Sequence, residues 1–302
     1  MLRPTHTDGP RVSVSQITTL AASFADDVRT YADAGLDGIG IWELKLPEDG
    51  DDAAALEQLE ASGLEAASAV AAVPSILPLP LLGPPDDPAE RLDALLASLH
   101  RLAAFGPSGV VCLTGSGEGR DADEARATVV DGLRQLGAEA ESLGLRIALE
   151  PYQHEDGGPW SIVSSVPEAV ELIRDAGDSP ALGLQFDVWH LWNTPTVLDD
   201  IAEHVDRFAG VHVSGYREPT RNWADRALPG DGAGDLPRIL AALDAAGWSG
   251  LYDIEVFSDN GTFGTAHPDS LWDVAPAELI ASARDAFLRA WAASREHELT
   301  PQ

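Results

Sequence analysis

The sequence predicts an α/β fold, a (β/α)8 TIM barrel with parallel strands, on the basis of three observations. Short β-rich runs alternate with longer amphipathic segments along the whole chain of 302 residues. Eight such runs occur, and they are nearly continuous apolar segments and not alternating ones, as parallel strands buried on both faces are. No linker or low-complexity segment interrupts the alternation, so we expect a single domain over residues 1–302.

The predicted strands are separated by patterns typical of helices. The strands are RVSVSQIT (11–18), DGIGIWE (37–43), EAASAVA (65–71), GVVCLTG (109–115), RIALEPY (146–152), ALGLQFDV (181–188), FAGVHVSG (208–215) and LYDIEVFS (251–258). Helical patterns lie at 23–34, 88–105, 122–143, 166–176, 196–207, 236–246 and 276–295. Pro88 suits the first turn of a helix, and Asp235 suits the N-cap of another.

A doubly wound open sheet is the competing architecture. Dinucleotide-binding sheets of that kind carry a glycine-rich phosphate loop after the first strand. Gln16, Ile17 and Thr18 occupy that position in this chain. The sequence therefore favours the barrel.

The charge balance excludes several classes of function. The chain carries 50 acidic and 19 basic side chains, which gives a formal net charge of −31. Because nucleic acids and anionic membrane surfaces attract basic patches, we expect neither as a partner. The only cysteine, Cys112, excludes an intrachain disulfide, and the only lysine, Lys45, restricts Schiff-base chemistry to one residue. The N-terminus lacks an apolar signal segment, so we expect a cytoplasmic protein.

Four ionisable residues lie inside apolar strands near the carboxyl ends of strands five to eight. They are Glu150, Asp187, His212 and Glu255. A charged group in a β-core costs several kcal/mol unless it is paired or binds a metal. Because active sites of such barrels form at these strand ends, we expect the four to converge on one divalent ion, with Mn²⁺ favoured and Mg²⁺, Co²⁺ or Zn²⁺ as alternatives. The competing interpretation is four separately satisfied core polar groups.

These residues and their neighbours carry a family resemblance. The motifs are L-E-P at Glu150, D-x-x-H at Asp187 and His190, V-H-V at His212, Arg226 ahead of L-P-G-D-G, and D-I-E at Glu255. With these motifs the chain resembles the xylose-isomerase-like barrel superfamily of sugar isomerases and epimerases, most strongly over 146–258. The resemblance implies that Glu150, Asp187, His212 and Glu255 bind the metal, and that His190 and Arg226 contact substrate oxygens.

Removing a proton next to a sugar carbonyl needs a base and stabilisation of the developing enediolate. A metal ion that bridges two vicinal oxygens supplies the stabilisation. We therefore expect Glu150 and Glu255 to act as a catalytic acid/base pair on opposite faces of a small sugar substrate. A lyase or dehydratase remains the alternative, because the same enolate can expel a leaving group.

Further candidates follow from position alone. Trp42 and Trp189, with Trp160 and Phe257, lie at strand ends where they would pack on a sugar or simply cap the core. Weaker candidates for the site are Glu43, Lys45 and His154, and Arg217 and Arg221 compete with Arg226. The glycine-rich run 230–234 predicts a turn, with a phosphate cradle as the alternative. The absence of a cationic cluster favours a neutral sugar, and a homo-oligomer stays open.

Two other classes are disfavoured. The superfamily contains an endonuclease for abasic DNA, whose zinc site needs histidines at the third and fourth strand ends. Those ends read Ala-Val-Ala-Ala (69–72) and Leu-Thr-Gly-Ser (113–116) in this chain. A metal-free binding protein would not need the four-residue constellation.

Overall fold

The computed structural model describes residues 9–79, 83–152 and 160–297. Within these ranges eight parallel strands close into a barrel, so the predicted fold is confirmed. The barrel strands are β1 (Val12–Ser15), β2 (Gly38–Trp42), β3 (Glu65–Ser75), β4 (Gly109–Leu113), β5 (Ile147–Leu149), β6 (Leu182–Asp187), β7 (Phe208–Val213) and β10 (Tyr252–Ile254). Each of these barrel strands pairs with the barrel strand before it and the barrel strand after it along the chain, and β10 closes the barrel against β1.

The helices follow the strands around the outside of the barrel. They are α1 (Phe24–Asp33), α2 (Ala53–Ser62), α3 (Pro88–Leu102), α4 (Ala122–Leu143), α5 (Val166–Asp175), α6 (Val188–Leu191), α7 (Val197–His204), α8 (Leu236–Ala246) and α9 (Pro276–His297). Local chemistry fixes several starts: Asp121 accepts from two backbone N–H groups of α4, and Asp235 accepts from the Arg238 N–H of α8. No helix in the described ranges is long and apolar enough to cross a bilayer.

Two segments predicted as loops contain regular structure. The stretch 214–234 includes an antiparallel pair, β8 (Gly215–Tyr216) and β9 (Arg226–Ala227), so Arg226 lies on a strand and not in a polar loop. The residues after β6 form the short helix α6, because the Asp187 carboxylate caps it by accepting from the Trp189 N–H at 2.8 Å. His190 therefore lies on a helical turn.

The interior of the barrel carries polar residues at its carboxyl end. Asp187 on β6 is in register with His212 on β7, and His212 is in register with Asp253 on β10. All three are 2% exposed or less. The parallel register thus brings ionisable side chains from neighbouring strands together inside the barrel.

Candidate functional site

Three of the four predicted metal ligands form a compact buried group. Glu150, Asp187 and His212 each offer one ligand atom, and these atoms lie within 4.8 Å of one another. All three side chains are buried. Two carboxylates and one imidazole at this spacing are a donor set that suits a divalent ion.

Glu255, the fourth predicted ligand, also lies close to His212. The Glu255 Oε2 atom is 3.3 Å from His212 Nδ1, and the Glu150 Oε1 atom is 3.6 Å from the same nitrogen. Neither Glu150 Oε1 nor His212 Nδ1 makes a hydrogen bond with any described residue. Both glutamates therefore approach the same imidazole nitrogen. Glu150 Oε1 and His212 Nδ1 are buried without a hydrogen bond.

The two glutamates differ in electrostatic environment. Burial raises the pKa of Glu150 to about 7, helped by the neighbouring Asp187 carboxylate. Burial opposes the ionised form of Glu255 too, but His212 and Arg226 outweigh it and lower the pKa of Glu255. A pair of carboxyl groups whose pKa values are pushed apart is the arrangement that acid/base catalysis uses.

Arg226 is held between the predicted metal ligands. Its Nη1 atom donates to Asp187 Oδ2 at 2.9 Å and to Glu255 Oε2 at 3.2 Å. The guanidinium carbon Cζ lies over the rings of Trp189 and Phe257, at 4.9 and 5.0 Å from their centroids. Burial of a cation is costly, and these two carboxylates and two aromatic faces compensate it.

An apolar cavity of about 80 Å³ opens next to the two glutamates. Its lining residues are Trp42, Leu44, Val70, Pro74, Val111, Leu113, Glu150, Tyr152, Trp160, His212, Trp223, Glu255, Phe257 and Phe263. Most of its wall is aromatic or aliphatic, and its polar floor consists of the site residues. Such a cavity excludes water from the charged groups at its base.

The structure separates the four predicted substrate-binding residues into two groups. Trp42 lines the cavity, with its Nε1 atom donating to Ser15 Oγ at 2.9 Å. Trp189, His190 and Arg226 are buried beside the ligands, outside the set of lining residues. His190 packs against Tyr152 with ring centroids 3.6 Å apart, and its Nε2 atom is 3.4 Å from Arg226 Nη2. A substrate would meet Tyr152 and Trp42 before it met these three.

The weaker candidates have structural partners. Lys45 donates to Asp27 Oδ2 at 2.7 Å, and Glu43 accepts from Ser98 Oγ at 2.6 Å. Arg217 and Arg221 both bind Asp225. His154 lies outside the described residues.

The run 230–234 forms the turn that leads towards α8, next to a small cavity of about 10 Å³. That volume holds about one water molecule and is too small for a phosphate group.

Sequence reasoning assigned no role to four residues of the site. Tyr152 and Trp223 lie in loops, where sequence gives no indication of which way a ring turns. Ser68 is a small residue in an alanine-rich strand and carries no signal. Asp253 does carry one, because it is a charged residue inside an apolar strand, two positions before Glu255 and therefore on the same face.

Comparison with known proteins agrees with the barrel fold. Residues 28–290 match the family described as xylose isomerase-like TIM barrel. The chain belongs to this family. A solved structure of L-ribulose 3-epimerase shares its architecture: it superposes with a TM-score of 0.76 at 21% identity, covering 96% of this chain and 97% of that one. At that identity the likeness concerns the fold.

The curated relatives that match this chain are named for two kinds of reaction, dehydration and isomerisation. A 3-dehydroshikimate dehydratase of Pseudomonas putida is 32% identical over 140 residues, which cover 43% of this chain and 21% of that protein. An inosose isomerase of Bacillus licheniformis is 26% identical over 144 residues, covering 45% of this chain and 48% of that protein. The matches thus span half or less of these relatives.

Proposed function

We propose that this chain is a metal-dependent isomerase or epimerase that moves a proton next to the carbonyl of a neutral sugar or cyclic polyol. One observation carries the proposal: Glu150 and Glu255 flank His212 Nδ1 at the floor of an apolar cavity, with Asp187 beside them. Two carboxylates beside one centre fit removal of a substrate proton by one group and return of a proton by the other.

The residues present fit a divalent ion. Glu150 Oε1 and His212 Nδ1 are buried and lack hydrogen-bond partners among the described residues, which is costly unless a ligand binds there. Glu150, Asp187, His212 and Glu255 would hold the ion, and this oxygen-rich set favours Mn²⁺. When bound, the ion supplies stabilisation of negative charge on substrate oxygens.

The protein groups divide the remaining work. Glu150 lines the cavity with its carboxyl group, which places it to exchange a proton with a substrate bound there. His212 and Arg226 favour the ionised form of Glu255, and Arg226 also donates a hydrogen bond to its carboxylate. The rings of Trp42, Trp223 and Phe257 exclude water and offer faces for the C–H surface of a sugar.

The charge of the cavity favours a neutral substrate. None of its lining residues in the described part of the chain is an arginine or lysine, and two of them are glutamates. Arg226 is already paired with Asp187 and Glu255. A phosphate or carboxylate group would find no cationic side chain among these lining residues, and burying a charged group without such a partner is unfavourable.

Dehydration is the second candidate, since the dehydratase relative is 32% identical over its matched segment. The substrate enolate that Glu150 would form can lose a β-hydroxyl group instead of regaining a proton. Protonation of that leaving hydroxyl would then fall to the Tyr152 hydroxyl, which also lines the cavity.

The two reactions can be distinguished by incubating the Mn²⁺-loaded protein with neutral ketoses and inososes in D2O and measuring the product masses by mass spectrometry. Isomerisation predicts a product of the same formula with one deuterium incorporated, whereas dehydration predicts loss of one water. Glu150→Gln should abolish either change, and the exposed Glu171→Gln should leave it intact. Absence of exchange and of water loss across the panel would contradict the proposed function.

A further inference from the structure

We propose that Ser68 and Asp253 are positioning residues, which form a hydrogen-bonded relay behind His212 and present its Nδ1 atom to the metal ion. The inference rests on the proposed function, because it names the ligand atom of the same site. It adds two buried residues from strands β3 and β10 that act on the metal only through the imidazole.

The direction of each hydrogen bond follows from proton counting. Ser68 Oγ donates its single proton to Asp253 Oδ2 at 2.7 Å, since an ionised carboxylate only accepts. Ser68 Oγ also lies 3.1 Å from His212 Nε2. With its proton already given to Asp253, the serine oxygen must accept at this contact, so His212 Nε2 carries a hydrogen.

A neutral imidazole protonated at Nε2 has its free lone pair on Nδ1. That atom is the one that faces Glu255 Oε2 at 3.3 Å and Glu150 Oε1 at 3.6 Å, and it makes no hydrogen bond with the described residues. The relay thus directs the lone pair towards the same point as the glutamates. Metal-binding histidines generally need such a partner on the second nitrogen to fix the ring and its tautomer.

The barrel is shaped to hold this relay. Ser68, His212 and Asp253 are each 2% exposed or less and come from three different strands. The Asp253 carboxylate lies against Gly40 on β2, where the Cβ of any other residue would overlap its Oδ2 atom. Asp253 Oδ2 is also 3.7 Å from His212 Nε2, so the carboxylate reinforces the orientation of the ring.

The chain offers a matched control for the relay. Ser98 Oγ donates to Glu43 Oε2 at 2.6 Å, which is also a buried serine-to-carboxylate hydrogen bond. This pair joins α3 to the residues after β2 and touches none of the four predicted ligands. Ser98→Ala therefore reports the cost of losing such a bond without any effect on His212.

The test measures Zn²⁺ affinity of the full chain by competition with a chromophoric chelator. Ser68→Ala and Asp253→Asn should each weaken Zn²⁺ binding by about 10- to 100-fold, and Ser98→Ala should leave it unchanged. Long-range ¹H–¹⁵N spectra of the Zn²⁺-loaded wild type should show His212 protonated at Nε2, with assignment by comparison with His212→Gln.

The outcomes separate this inference from the proposed function. Tight Zn²⁺ binding by the wild type with unchanged affinity in Ser68→Ala, or a hydrogen on His212 Nδ1, would overturn the relay alone. Failure of the wild type to bind Zn²⁺ or Mn²⁺ would overturn the proposed function and the relay together. A loss of affinity in Ser98→Ala equal to that in Ser68→Ala would also overturn the relay.

Discussion

Buried carboxylates of the same kind differ in this protein because of their immediate neighbours. The Glu150 Oε1 atom makes no hydrogen bond with any described residue, and the nearby Asp187 carboxylate repels a negative charge on Glu150. Glu255 accepts from Arg226 and Ser15 and faces His212. The environment therefore favours a proton on Glu150 and a charge on Glu255, before any ligand is considered.

Replacing Glu150 by glutamine tests its proposed role as proton carrier. We expect kcat to fall by about 10² to 10⁴, since an amide cannot take or give the proton. The melting temperature should stay equal or rise, because the substitution removes a buried acidic group near Asp187. A variant that keeps wild-type kcat in assays with saturating Mn²⁺ would exclude Glu150 as the base.

Lys45 is predicted to stabilise the fold and to take no part in catalysis. Its ammonium group and Asp27 are 2.7 Å apart, and the Asp27 side chain is fully buried. Lys45→Met should lower the free energy of unfolding by about 3 to 5 kcal/mol, because an uncompensated charge stays inside. Urea denaturation measures this loss, and the double variant Asp27→Asn/Lys45→Met should recover much of it. A single variant as stable as the wild type contradicts this assignment.

Single residues were predictable where they broke a pattern. Glu150, Asp187, His212 and Glu255 interrupt apolar strands, and the fold places them together. Trp189 was predicted to bind substrate because it lies just past a strand end. Its ring packs against the Arg226 guanidinium instead, and it is not among the residues that line the cavity. Ser68 breaks no pattern in its strand, and its contact with His212 spans 144 positions of sequence, so only the closed barrel reveals it.

At the scale of elements, an ion-pair cluster holds one wall of the cavity. Asp225 is fully buried and binds the guanidinium groups of Arg217 and Arg221, which also bind Asp269. Arg217, Arg221 and Asp225 lie in the segment before β9 that carries Trp223, whereas Asp269 lies in the loop after β10. The cluster thus joins this segment to the loop after β10 and keeps the Trp223 ring against Trp160, with centroids 4.7 Å apart.

Weakening this cluster should affect substrate binding more than chemistry. Asp225→Asn removes the buried charge that orders the segment, so we expect KM to rise about tenfold, equivalent to about 1.4 kcal/mol, with a smaller change in kcat. Asp269→Asn is the matched control, since that partner is half exposed and an exposed pair contributes at most about 1 kcal/mol. Steady-state kinetics decide: a fall in kcat without a rise in KM speaks against a wall function.

The predictability of elements followed the strength of their apolar stripes. The eight strands and the seven predicted helices are present, with ends shifted by a few residues. Helix α2 was not predicted, because it buries only Ala55 and Leu59 and so lacks a wide apolar face. The pair β8 and β9 is two residues long on each side, too short for alternation to be visible.

On the scale of the whole molecule, the net charge of −31 should oppose compaction through self-repulsion. Raising NaCl from about 0.01 M to about 1 M shortens the screening length from about 30 Å to about 3 Å. We therefore expect the melting temperature to rise by several degrees, equally in NaCl and KCl. A melting temperature that is constant or falls with salt would show that the charge is dispersed without net repulsion.

We propose that four strand ends of the barrel form one metal site. Elemental analysis of the purified chain, after chelation and reconstitution with Mn²⁺, is the direct test of this site. We expect about one ion per chain in the wild type and in Ser98→Ala, and loss of the ion in Asp187→Ala and His212→Ala. A reconstituted wild type without bound metal would contradict it, and would leave Glu150, Asp187, His212 and Glu255 as core polar groups without a common ligand.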